Sequence, residues 1–311
     1  MGVADRGARS AIYREGQDLG VLRAVIPAAG LGTRLYPATK SQPKEMLPLG
    51  TKPTIQLVAE ELVGAGLRDL LIVIGRHKRA IADHFDQADG ISPSNKCDRC
   101  SELFDNPLIH FYYTRQSVPK GLGDAVMQAR TFVGQDHFVV ALGDCVIVGP
   151  ERSSLMNRLL QTHEQHSAAA TIATQRVSPE ATSRYGIVDP EGSADETALK
   201  LRDIVEKPGP DKAPSNLAVC ARYVFSPVVF EYLDRTAPGF GGEVQLTDAI
   251  RAMIRDGLPV YAVPLLPGED RLDVGNFESY AKAFIRLMLS HEELGPGLRK
   301  FTSELIDRID G

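Results

Sequence analysis

Four cysteines in 311 residues are too few for a disulfide framework, so a reducing compartment is the simpler expectation. No apolar run reaches the roughly 18 residues that would span a bilayer. The first twenty residues, MGVADRGARSAIYREGQDLG, carry charge throughout and hold no apolar stretch, and so read as neither a secretory leader nor an anchor. These features predict a cytoplasmic protein. Positive charge is not in excess either: 35 Lys+Arg against 40 Asp+Glu leave a net charge of −5, which supplies no field for gripping nucleic acid or an acidic membrane. A polyanionic ligand would have to be met by local cations. With 43% hydrophobic and 24% charged residues the composition excludes a disordered, fibrous or coiled-coil chain. At roughly 150 residues per domain, the length allows one large domain or two small ones with a real core.

The cysteines also fail one by one as reactive groups. Cys97 and Cys100 form CDRC, but a structural zinc site needs four ligands and no second CxxC follows. The segment reads as a solvated loop unless His84 or His110 folds onto it. Cys145 and Cys220 lie in apolar stretches, where a small buried side chain is the ordinary explanation. The seven histidines show no placed partner and no nucleophile beside them, and His137, at the start of an apolar run, reads as structural.

What the sequence does have is alternation. VLRAVIP at 21 to 27 predicts a strand that breaks into a glycine loop, AAGLGTRLYPATK. A helix from Thr54 to Ala65 follows, with Ile55, Val58, Ala59, Leu62 and Val63 on one face, and then the strand DLLIVIG at 69 to 75. The pattern repeats: a helix at 79 to 85, a strand at 109 to 114, a helix at 121 to 130 and the strand HFVVALGD at 137 to 144. Strands alternating with helices predict an α/β fold with a parallel sheet covered on both faces. From about residue 168 strand signals dominate, with AAATIAT, YGIVD, KLRDIVE and LAVCARYVF, helices near 227 to 235 and 245 to 255, and a last strand at 259 to 263. A helix is expected from Asn276, and another in the tail after Gly297. No Ser- or Pro-rich linker interrupts the chain. It divides into an extension over 1–20, one catalytic unit over 21–290 and a C-terminal helix over 291–311.

The sharpest local signal is Gly30-Leu31-Gly32-Thr33-Arg34 directly after a buried strand. Glycines let backbone N–H groups approach an anion, and the arginine adds a forked donor. An isolated GxG is more often a tight turn. Leu35 stands where a dinucleotide fingerprint needs its third glycine, and the Gly-Lys-Ser/Thr ending of a P-loop is missing. Its company decides the matter. Lys44, in SQPKEMLPL, is held in an extended segment stiffened by Pro43 and Pro48. A solvated surface lysine is the commoner case, but the prolines with Met46 and Leu47 argue for a partly buried, positioned one. Asp144 ends the strand HFVVALGD, where open α/β sheets bind their ligands, and Asp273 lies in RLDVGN. Singly, either is a turn or cap residue; together they could hold Mg²⁺, which takes one or two carboxylates plus substrate phosphate oxygens.

These residues in this order resemble the bacterial UTP-glucose-1-phosphate uridylyltransferase family, also called UDP-glucose pyrophosphorylases. The resemblance runs from about Leu22 to Phe284 through AVIPAAGLGTRLYPATK, PKEMLPL, RQ with KGLGDAV, LGD, YGIVD, VEKP, PSNLAVCARYV, GGEVQLTDAI and DVGN. It implies a Rossmann-like nucleotidyltransferase fold with a mixed, mostly parallel central sheet covered by helices and a C-terminal elaboration. It also implies UTP and glucose 1-phosphate as substrates, Mg²⁺ as cofactor, and a homodimer or homotetramer touching neither nucleic acid nor membrane. Carried over by position, Ala28, Ala29, Gly30, Gly32, Gln116 and Gly121 would contact the nucleotide, with Gln116 reading the pyrimidine. Arg34 and Lys44 would grip the triphosphate, and Asp144 and Asp273 the magnesium. Gly186, Glu206 and Asn216 would meet the hexose, Lys207 the phosphate of glucose 1-phosphate, and Glu243 with Gln245 would shape the sugar pocket.

The sequence departs from that family pattern in three places. Cys145 follows the aspartate of LGD where relatives often carry a second acid, Asp124 stands where they often have His, and 91 to 107 matches no pattern. The departures bear on base or sugar preference rather than reaction class. The implied chemistry is in-line attack by the sugar phosphate on the α-phosphorus of UTP with release of pyrophosphate, and it needs no protein nucleophile. Rival readings are the same reaction with dTTP or another sugar 1-phosphate, a nucleotide-sugar sensor without turnover, and an NAD-binding oxidoreductase. The last lacks both its third glycine and an acid at position 75, which is Gly75.

Overall fold

The computed structural model describes residues 23–86, 101–104, 106–192 and 197–310. The CDRC pair lies outside the described residues. In chain order the strands are β1 Arg23–Ala28, β2 Pro48–Leu49, β3 Lys52–Pro53, β4 Asp69–Ile74, β5 His110–Arg115, β6 Phe138–Ala141, β7 Cys145–Val148, β8 Ala170–Arg176, β9 Gly186–Pro190, β10 Leu199–Glu206, β11 Leu217–Phe225, β12 Val260–Pro264 and β13 Asp270–Asp273. The helices are α1 Thr54–Gly64, α2 Arg79–Phe85, α3 Ser101–Phe104, α4 Leu122–Met127, α5 Arg130–Val133, α6 Ser154–Gln165, α7 Val229–Arg235, α8 Leu246–Arg255, α9 Phe277–Ser290 and α10 Gly295–Asp310.

Nine strands form one sheet in the order β5-β4-β1-β6-β11-β8-β12-β10-β9. The alternating β/α segments do what their order predicts: β5, β4, β1 and β6 are all parallel. Parallel order ends at β11, which runs antiparallel to β6 and β8; β10 is antiparallel to β9 and β12, and only β8 and β12 pair in parallel beyond that point. The mostly parallel expectation therefore holds for the N-terminal half and is corrected in the second. Hairpin-like neighbours such as β9 and β10 need no helical crossover, so they are free to pair antiparallel.

Successive residues of the central strands serve opposite faces. Ile26, Ile72 and Val139 pack on one side with α1 and α6, while Val25, Val73 and Val140 pack on the other with α4, α7 and α8. That is why these strands read as continuous apolar runs rather than alternating ones. Helix α8 shows the matching helical spacing, with Leu246, Ala249, Ile250 and Met253 buried; each large apolar side chain so buried contributes about 1.5–3 kcal/mol.

Several boundaries move. The strand expected to run to residue 144 stops at Ala141, and Cys145–Val148 turn away to pair with β13 in a separate two-stranded ribbon. The helix expected over 121 to 130 is two short ones, α4 and α5, and α6 and the ribbon are additions to the expected elements. Lys44 sits on a 3₁₀ turn, Lys44–Met46, rather than in extended chain.

The ribbon is anchored from beneath. Arg222 of β11, with no exposed surface, donates from Nη2 to Glu61 Oε2 at 2.7 Å and from Nε to Glu61 Oε1 at 3.1 Å, and its Nη2 also reaches the Cys145 carbonyl at 2.8 Å. One guanidinium thus ties α1, the central sheet and the first residue of β7. Its forked geometry suits a carboxylate whose two oxygens must both be satisfied.

Candidate active site

A cavity of about 430 Å³ opens at the carboxyl ends of β1, β5 and β6, and its wall includes Ala29, Gly30, Gly32, Arg34, Lys44, Gln116, Gly121, Asp144 and Glu243. Nine of the residues singled out in the sequence are therefore brought to one space. Ala28, 1% exposed, lies under the wall rather than on it. The glycine loop is closed by Thr39, whose Oγ1 donates to the Gly32 carbonyl at 2.8 Å.

Lys44 reaches across the floor of this cavity and donates from Nζ to the Asp144 carboxylate. Burial alone would lower the lysine, but Asp144 and Glu45 overcome it and leave the ammonium above its ordinary value. Burial would likewise raise Asp144, but the charge and hydrogen bond of Lys44, then Arg271, hold the carboxyl below the usual range. Both groups stay ionised in a poorly solvated wall.

Behind them, Lys78 Nζ donates to both carboxylate oxygens of Glu45, at 2.8 and 2.7 Å, with Glu45 1% and Lys78 6% exposed. Burial pushes the Glu45 carboxyl up and the Lys78 ammonium down, and each restrains the shift of the other. This second pair fixes the 3₁₀ turn that presents Lys44. No local pattern links Glu45 to Lys78, because 33 residues separate them.

Asp273 approaches from the ribbon. It is the register partner of Cys145, and the Val274 N–H donates to the Asp144 carbonyl at 2.9 Å, so the two aspartates sit at adjoining positions. Asp273 Oδ1 accepts from Arg271 Nη2 at 2.7 Å, while its Oδ2 takes no hydrogen bond from a described residue. The Asp144 carboxylate, kept ionised by Lys44, and the unclaimed Asp273 Oδ2 fit a hard divalent cation that draws its other ligands from water and phosphate. Among the described residues no group of three or more His, Cys, Asp or Glu forms a metal cage.

Arg271 was missed in the sequence, although it lies only two residues before Asp273. Its guanidinium stands 4.9 Å from the Tyr185 ring centroid and its Nε lies 3.2 Å from Cys145 Sγ. It joins the ribbon to a second cluster, Gly186, Glu206, Lys207 and Asn216, which does not line the cavity, whereas Glu243, also assigned to the sugar, does. There Gly186 and Glu206 are register partners. Glu206 accepts from Thr247 Oγ1 at 2.8 Å and pairs with Lys207 Nζ at 3.1 Å. A Cβ on residue 186 would stand 3.2 Å from Thr247 Oγ1 and 3.3 Å from Glu206 Oε2, so glycine keeps that carboxylate in place. Lys207, in a left-handed conformation at φ +47°, points its ammonium over the Phe240 ring at 4.6 Å. Asn216 is exposed beside them, its carbonyl accepting from the Val177 N–H at 3.0 Å.

The loop at 119–124 closes the far wall. Gly121 has φ +105°, and a Cβ there would lie 2.7 Å from the Val244 carbonyl and 2.8 Å from Glu243 Cβ, so only glycine lets the two loops meet. They are stitched by Val244 N–H to the Lys120 carbonyl at 2.7 Å and Gly123 N–H to the Val244 carbonyl at 2.9 Å. Gln245 turns away and donates to the Phe240 carbonyl at 2.9 Å. The histidines also have partners, away from the cavity: His84 with Gln56 at 3.0 Å, His110 with Asp69 at 3.0 Å and His137 with His163 at 2.7 Å.

The cavity can meet a polyanion with Arg34 and Lys44, the neighbouring cluster adds Lys207, and the two aspartates suit a divalent ion. Comparison with known proteins agrees. Residues 23–288 match the nucleotidyl transferase family model. The chain is 41% identical over 293 residues to the UTP–glucose-1-phosphate uridylyltransferase of Staphylococcus haemolyticus, covering 92% of this chain and 98% of that one. It is 42% identical over 292 residues to UTP–glucose-1-phosphate uridylyltransferase 1 of Staphylococcus saprophyticus, covering 92% and 99%. Among solved structures, the UTP-bound enzyme from Acinetobacter baumannii superposes with a TM-score of 0.81 at 33% identity, covering 92% of this chain and 99% of that one. A UDP-glucose pyrophosphorylase complexed with UDP-glucose gives 0.78 at 33% identity, covering 87% and 100%. The chain belongs to the nucleotidyl transferase family, among the relatives named UTP–glucose-1-phosphate uridylyltransferases.

Proposed function

We propose that this protein transfers a uridylyl group from UTP to glucose 1-phosphate, giving UDP-glucose and pyrophosphate. The observation that carries the reading is the Lys44–Asp144 pair set under the glycine loop with Arg34, in a cavity whose other wall holds Gln116. Supporting it are the names of the relatives and the UTP and UDP-glucose of the two solved structures.

In this reading the uracil and ribose lie along Ala28, Ala29, Gly30, Gln116 and Gly121, and the triphosphate runs past Gly32 to Arg34 and Lys44. Lys207 meets the phosphate of glucose 1-phosphate, and Gly186, Glu206, Asn216 and Glu243 hold the hexose. The phosphate oxygen attacks the α-phosphorus in line, and pyrophosphate leaves. Positioning two polyanions and neutralising their charge is the work required. The family generally uses a divalent metal; Mg²⁺, held by Asp144 and Asp273, would add positive charge at the phosphates when bound. Lys78, through Glu45, holds the turn that presents Lys44, and Arg271 holds the Asp273 carboxylate on the ribbon.

No helix among the described residues is long and apolar enough to cross a membrane. We place the protein in the cytoplasm as a homo-oligomer, with the exposed Phe301, Leu305, Ile306 and Ile309 of α10 as the apolar contact. The reaction is tested with α-labelled UTP: the label should appear in UDP-glucose only when glucose 1-phosphate is present. Label recovered as UMP instead would overturn it.

A further inference from the structure

The amide of Gln116 is held in one orientation by the residue that departs from the family pattern. Its Nε2 donates to Asp124 Oδ2 at 2.7 Å and to the Gly121 carbonyl at 3.0 Å. Both partners are acceptors, so only the NH₂ end can face them, and turning the amide over would set its oxygen against two oxygens. Both amide protons are thereby used. Gln116 Oε1 accepts no hydrogen bond from a described residue and is not among the sealed, unsatisfied buried atoms, while the residue lines the cavity. The oxygen is the end left for a ligand.

We propose that Asp124 is a positioning residue for base selection, locking Gln116 so that it presents an acceptor to the nucleobase. This rests on the nucleotide site proposed above. A base held in place by its ribose and triphosphate then needs a donor at the matching ring position. Uracil has one in N3–H; cytosine offers a lone pair at that nitrogen, and two facing acceptors are unfavourable. The lock is indifferent to the 5-methyl group, so thymine should pass it as uracil does. Asp124 also lies in the first turn of α4, where a negative charge stabilises the helix end, and the test must separate that role from the lock.

Asp124→Ala and Asp124→Leu remove both the charge and the acceptor, whereas Asp124→Asn removes the charge and keeps an acceptor oxygen. The wild-type enzyme with its divalent ion should favour UTP over CTP in kcat/KM with glucose 1-phosphate. Asp124→Ala and Asp124→Leu should lower that ratio about tenfold, the size of one hydrogen bond, with CTP use rising as the amide turns over. Asp124→Asn should keep the ratio within about twofold of wild type. An unchanged ratio in Asp124→Ala or Asp124→Leu overturns the proposal, as does an equal loss in Asp124→Asn. Wild-type protein that makes no UDP-glucose would instead refute the reaction. In that case the UTP-to-CTP binding ratio, titrated on the same variants, still supports the lock if it falls and overturns it if it does not.

Discussion

Lys44 and Asp144, one hundred residues apart in the chain, form a hydrogen-bonded ion pair on the wall of the cavity. Their side chains are 14% and 21% exposed, so the pair is shielded but reachable. A triphosphate offers the lysine a second anion, and a divalent ion offers the aspartate a second cation. Lys44→Ala and Lys207→Ala should each keep the fold, by circular dichroism, while lowering kcat/KM by about 10²–10³, the effect of losing one preorganised charge contact. Near-normal kcat/KM in both would refute their assignment.

Activity should require a divalent ion. Chelation with EDTA should abolish turnover and added Mg²⁺ restore it, and Asp144→Asn and Asp273→Asn should each raise the Mg²⁺ concentration needed for half-maximal rate. Unchanged turnover in EDTA contradicts the two-carboxylate site.

His163, 3% exposed, gives stability a defined acid limb. Burial, then the neighbouring His137, pushes its imidazole down from 6.5 to about 3. The folded value lies below the unfolded one, so its contribution is complete above about pH 6.5. As pH falls further, the unfolded chain takes up the proton first, and stability drops by up to ~1.4 kcal/mol per pH unit toward about pH 3. Urea unfolding at pH 7, 6 and 5 should show this slope in the wild type and a shallower one in His163→Gln; equal slopes would contradict it.

The Arg222–Glu61 pair should dominate the stability of the ribbon. Glu61→Ala leaves a buried guanidinium without its carboxylate and should cost about 3–5 kcal/mol, while Arg222→Met combined with Glu61→Leu should recover most of that. Denaturant midpoints of the single and double variants decide it. A loss below 1 kcal/mol in Glu61→Ala would mean the pair is not the anchor.

The sequence revealed most where local pattern and global fold agree. Helix α2 falls at Arg79–Phe85 and strand β11 at Leu217–Phe225, both at the expected bounds, since each is a periodic or β-branched run with clear ends. It revealed least where the chain turns inside an apolar run. HFVVALGD, 137 to 144, reads as one strand, but it ends at Ala141, and Cys145–Val148 pass beyond Gly143 and Asp144 into a different sheet. The cavity residues could be named from their motifs, yet the Glu45–Lys78 pair, the Arg271 bridge and the Gln116–Asp124 bond could not, because each joins side chains through folded space.

Pyrophosphate release from UTP, dTTP, CTP, ATP and GTP, each with glucose 1-phosphate and its epimers, tests the central claim most directly. UTP with glucose 1-phosphate is expected to give the highest kcat/KM, with one pyrophosphate released for each UDP-glucose formed. Preference for a purine triphosphate, or release that does not depend on the sugar phosphate, would contradict it.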